Sequence, residues 1–64
     1  MDVDAQKVAM YLNDSAGQAL LDGEFYAASI LLAIAAYFAQ TPEGAGVLVD
    51  RSKEARNLAR APRC

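Results

Sequence analysis

The feature that most constrains this chain is the run from Phe25 to Ala39, fifteen residues in which Ser29 is the one polar side chain. Alanine recurs through it, and it contains neither glycine nor proline, so it reads as a helix. A helix that is apolar around its whole circumference is one that other elements cover on every side. The entire chain has 64 residues with which to do this. A domain so short buries only about 60% of the surface its unfolded chain exposes. Small domains are commonly secured by disulfides, a metal or a partner chain. With one cysteine and no histidine, a disulfide framework is excluded and a zinc site is not expected. Association with another chain is the aid that remains.

Helical periodicity continues on both sides of the apolar run. Ala5, Val8, Leu12, Ser15 and Ala19 repeat at three-four spacing, which places them on one face of a first helix from about residue 4 to 22. Gly23 follows as a C′ residue, able to take a positive φ without steric cost. The second helix is expected over about 24–40. Its wheel divides into a small-residue seam (Phe25, Ala28, Leu32, Ala35, Ala39) and a bulky face (Tyr26, Ile30, Ile34, Tyr37, Phe38). Thr41-Pro42-Glu43 marks a new start, with a capping hydroxyl, a proline suited to the first position and a carboxylate suited to the dipole. The third helix is expected over about 43–60, with Leu48, Ala55, Leu58 and Ala59 as a narrow apolar stripe and Val47 at its edge. Pro62 should end it.

These elements predict one all-α domain over residues 1–64, an antiparallel helical hairpin plus a third helix in a small three-helix bundle. The short link at Gly23 makes the first two helices antiparallel neighbours. The small seam should pack against the first helix, and the third helix should cover part of the bulky face. That cover is too narrow. Burying a large apolar side chain is worth about 1.5–3 kcal/mol, while a whole domain is stable by only about 5–15 kcal/mol. The bulky face is therefore expected to meet a partner, first of all a second copy of the chain.

The stretch from Leu12 to Pro42 resembles a single tetratricopeptide-type helical hairpin, through Ala16, Gly23, Phe25, Ala28, Ala35 and Pro42. Pro42 stands two residues late for that pattern, and one unit is present where arrays use about three. The same hairpin is similar to the core of HEPN-type domains, through Leu20, Leu21, Gly23, Phe25, Ala28 and Tyr37. Ribonuclease members of that family use an arginine and a nearby histidine, and the absence of histidine here means that activity does not carry over. Both resemblances imply a helical hairpin and a protein-binding role.

Neither a catalytic nor a cofactor site is legible. Without histidine there is no Ser-His or Cys-His pair, and Gly44 and Gly46 lack the lysine and the preceding strand of a phosphate loop. Asp22 and Glu24 flank a turn, and they read with Asp2, Asp4 and Asp14 as solvating charges. Metal ligands are not expected. Net charge is −2, yet five of the six basic residues fall in the last fourteen positions. Lys53, Arg56, Arg60 and Arg63 form a stripe, interrupted nearby by Asp50 and Glu54. It reads first as a solvated helix face whose cations suit the negative helix end, and alternatively as a contact for an acidic protein, nucleic acid or anionic lipid. The terminal Cys64 reads as incidental.

The leading expectation is thus a non-enzymatic protein-interaction module, a small cytoplasmic regulator, adaptor or inhibitor. It would act as a homodimer and bind an unidentified protein, with Tyr26, Ile30, Ile34, Tyr37 and Phe38 at the interface. One alternative is a binder of nucleic acid or an anionic surface through the basic third helix. Another is a small membrane protein, although fifteen apolar residues fall short of the usual minimum of about 17 for a spanning helix.

Overall fold

The computed structural model describes residues 4–60; Asp2, Pro62, Arg63 and Cys64 lie outside the described residues. Three α-helices follow one another in the chain: α1 (Ala5–Leu21), α2 (Phe25–Phe38) and α3 (Pro42–Arg60). The arrangement is the all-α three-helix bundle that the apolar periodicity requires.

Local chemistry sets each boundary. Asp4 is extended (φ −78°, ψ 101°), and its carboxylate accepts the amide N–H groups of Gln6 and Lys7 at 3.1 and 3.3 Å, capping α1. At the other end Gly23 takes φ 79°. Its N–H donates to the Leu20 carbonyl at 3.1 Å, and the Glu24 N–H donates to the Ala19 carbonyl at 2.8 Å. This pair of bonds is a Schellman motif, which satisfies carbonyls that a helix end leaves free. Thr41 Oγ1 accepts the Gly44 N–H at 3.0 Å and caps α3, with Pro42 at the first helical position. α2 stops at Phe38, two residues before the expected Gln40, because Ala39 is extended (φ −65°, ψ 140°). Thr41 caps the next helix and precedes a proline, so the chain leaves the helical region in time to reach it.

Two glycines test this reading. A Cβ at Gly17, inside α1, would meet nothing within 4 Å, so Gly17→Ala should stabilise by about 0.5–1 kcal/mol through helix propensity and a less flexible unfolded chain. Gly23 has equal space but a positive φ, so Gly23→Ala should destabilise by about 1 kcal/mol. Urea titrations at one protein concentration should show the two shifts with opposite sign.

α2 is the middle element and packs against both α1 and α3, while α1 and α3 meet only at their margins. The core is a cluster of Ala16 and Ala19 from α1, Ala28 and Leu32 from α2, and Ala55 from α3, with Leu20, Leu31 and Leu48 packed around it. Leu32 is its largest fully buried side chain. Small residues let the helix backbones approach closely. On the expected α1 stripe Ala19 is buried, and Ala5, Val8, Leu12 and Ser15 are half-buried beside the fully buried Ala16.

The partners of the seam differ from expectation. Ala28, Leu32 and Ala35 are buried, but Ala55 of α3 shares their cluster with α1. α3 therefore lies against the small-residue side of α2, and the bulky face is left largely uncovered. A polar contact fixes this placement: Ser52 Oγ donates to the Ser29 carbonyl at 2.9 Å, and Ser29 Oγ donates to the Tyr26 carbonyl at 2.7 Å. Ser52 is buried where Leu58, counted on the apolar stripe, is 51% exposed. A serine fits this close approach because it is small and its hydroxyl finds a carbonyl in the facing helix.

Candidate protein-interaction surface

The buried positions of α2 leave one continuous strip outside. At about 100° per residue, Ala28, Ser29, Leu32 and Ala35 point inward, and Tyr26, Ala27, Ile30, Ala33, Ile34 and Tyr37 fall together within about 120° on the other side. All six are exposed. Tyr37 is 85% exposed, Tyr26 64%, Ile30 42% and Ile34 41%. The strip runs the length of α2 and contains no charged residue. Scattered apolar residues on a surface are ordinary, and it is contiguous apolar strips that are candidates for interaction surfaces.

Four of the five residues singled out on the bulky face therefore lie in the exposed strip. Phe38 is the exception. It is half-buried, its ring meets that of Tyr37 edge-on at 5.5 Å, and it helps line a cleft between α1 and α3. Its position in α2, one residue past Tyr37, turns it away from the centre of the strip.

Of the basic stripe, Lys53, Arg56 and Arg60 are exposed on α3, and Arg63 lies outside the described residues. Arg56, Ala59 and Arg60 border a shallow hollow together with Tyr26. Arg56 and Arg60 thus flank one end of the apolar strip, and Lys53 falls on the same face of α3 at three-four spacing. Val49 continues their line at four-three-four spacing and is 39% exposed. The fifth basic side chain of that region is used internally: Arg51 donates to the Asn13 Oδ1 at 2.8 Å, tying α3 to α1. The other exposed large apolar and aromatic side chains, Met10, Tyr11, Leu21, Val47 and Leu58, are spread over α1 and α3 and form no comparable strip.

The cleft between α1 and α3 has a volume of about 350 Å³ and is lined by Gln6, Met10, Asn13, Phe38, Thr41 and Leu48 among others, none of them charged. It brings together no nucleophile with a base. Among the described residues, no three His, Cys, Asp or Glu side chains gather where a metal ion could be held, and no helix is long and apolar enough to cross a membrane. Ser29, Ser52, Asn13 and Arg51 carry the polar joints of the bundle and went unrecognised in the sequence. Ser52 was findable, since it falls between Leu48 and Ala55 at four-three spacing on the buried stripe.

No family model, no curated protein and no solved structure matches this chain.

Proposed function

We propose that this chain is a non-enzymatic protein-interaction module that works as a helical homodimer, joined through the exposed strip of α2. The observation that carries the reading is the strip itself: Tyr26, Ile30, Ile34 and Tyr37 remain in water on the central helix of a domain whose core is mostly alanine. An alanine core stabilises little per residue, since burial free energy scales with the apolar area removed from water. Covering the strip would add stabilisation of the same order as a small domain's whole margin.

Folding linked to association depends on concentration. The thermal midpoint should rise steadily as the protein is concentrated over a hundredfold range, followed by circular dichroism at 222 nm. Ile34→Asp, which places a carboxylate in the strip, should abolish that dependence. A wild-type midpoint that does not move across the range would refute the homodimer.

The exposed cations support a second reading, in which the dimer presents Lys53, Arg56 and Arg60 to an acidic protein. Arg56 and Arg60 lie beside Tyr26, at the rim of the apolar strip, where charge governs encounter rate more than affinity. Reversal of Arg56 and Arg60 to Glu should then slow association with the acidic partner and leave the dimer intact.

A further inference from the structure

We infer that the two copies join as an antiparallel, two-fold symmetric pair, in which Tyr26 of each subunit packs against Tyr37 of the other and Ile30 against Ala33. This rests on the homodimer reading above and specifies its geometry.

The pattern on α2 carries the inference. Tyr26, Ile30, Ala33 and Tyr37 are spaced four, three and four residues apart, so the spacing reads the same in both directions. A two-fold interface brings one patch against its own copy, so residue i meets j while j meets i. Laid antiparallel about a point midway between Leu31 and Leu32, the series matches itself: an aromatic ring at each end faces an aromatic ring, and in the middle a large side chain faces a small one twice. Large against small is the arrangement that interdigitates, and three-four spacing is that of a knobs-into-holes seam. Parallel packing would set Ile30 against Ile30 and Ala33 against Ala33, so that one layer holds two large side chains and the next two small ones, which fills the seam less evenly.

The area agrees. With about 150–250 Å² for a whole buried aromatic side chain, the exposures of these side chains and Ile34 amount to on the order of 500 Å² per subunit. Complete coverage of these side chains would remove about 1,000 Å² in the pair, the lower bound for a specific interface. Antiparallel two-fold packing of α2 also lays α3 over the partner's α3, where the exposed Val49 falls near the symmetry axis and adds to the covered area. Lys53 and Arg56 then stand about 12 and 20 Å from their symmetry mates along the helix axis at 1.5 Å per residue, beyond the Debye length of about 8 Å at physiological salt, so the cations oppose the pairing only weakly.

Tyr26 and Tyr37 lie eleven residues apart on one straight helix, about 16 Å along its axis. Any contact between their rings must therefore come from two chains. Isotope-filtered nuclear Overhauser spectra of a mixture of labelled and unlabelled wild-type chain should show Tyr26 ring protons close to Tyr37 ring protons across subunits. Cross-peaks between Tyr26 and its own counterpart would mean a parallel dimer and would overturn the inference. So would a dimer, established by sedimentation, in which neither tyrosine contacts the other chain. In both cases the homodimer reading survives. A monomer by sedimentation would overturn both.

Discussion

Leu32→Ala is expected to cost about 2–5 kcal/mol, the range seen when a buried leucine is cut back and its cavity only partly collapses. Few substitutions in this chain should cost as much. Leu32 is completely enclosed, and the next fully buried side chain by size is a serine. The buried members of its cluster, Ala16, Ala19, Ala28 and Ala55, have no side-chain freedom with which to fill the space, which leaves only Leu20, Leu31 and Leu48 at the cluster's edge to move toward it. A domain this small holds a margin near the low end of about 5–15 kcal/mol, so the variant should keep only about 0–3 kcal/mol of it and unfold at a much lower urea concentration than the wild type. Leu32→Met, which nearly conserves volume, should cost less than about 1.5 kcal/mol. A loss below about 1 kcal/mol for Leu32→Ala in urea titration would show that the core is not where the structure puts it.

Tyr37→Asp should act on the other side of the same helix and by another route. Tyr37 is 85% exposed in the single chain, and its one aromatic contact is with the neighbouring Phe38. The substitution therefore removes little from the fold. In a two-fold dimer it removes an aromatic anchor twice and brings two carboxylates into an apolar seam. Losing an anchor of this kind costs about 2 kcal/mol or more. Counted twice, the dimer dissociation constant should rise by about a thousandfold. Tyr37→Phe keeps the ring and should leave the constant within about threefold. A rise of less than about tenfold for Tyr37→Asp, measured by dilution calorimetry, would place the interface elsewhere.

The local signals were legible from the residues. Gly23, Thr41 and Pro42 marked their boundaries through chemistry that acts within a few residues, and the structure uses each in that way. The division of α2 into an inner seam and an outer face was also readable, since Ala28, Leu32 and Ala35 are inward and Tyr26, Ile30, Ile34 and Tyr37 outward. Spacing tells which side chains share a face, and it does not tell which neighbour meets that face. For that reason α3 was placed over the bulky residues, when it lies against the seam with α1. The joint that places it there is Ser52 on the Ser29 carbonyl. A polar pair inside an alanine interface cannot be told from two solvated serines until the partner helix is known. Phe38 illustrates the same limit: its type suits an interface, but its angle on the helix turns it toward the cleft between α1 and α3.

If a second copy covers the outer face of α2, the mass of the particle in solution must be that of two chains. Sedimentation equilibrium of the wild-type chain at about 1–100 μM, a range that brackets a dissociation constant near 10 μM, reads this out. A dimer joined through α2 gives a species of twice the chain mass that yields to a lighter one on dilution. A helical particle of one chain's mass throughout that range, with Tyr26 and Tyr37 still open to solvent, would contradict it.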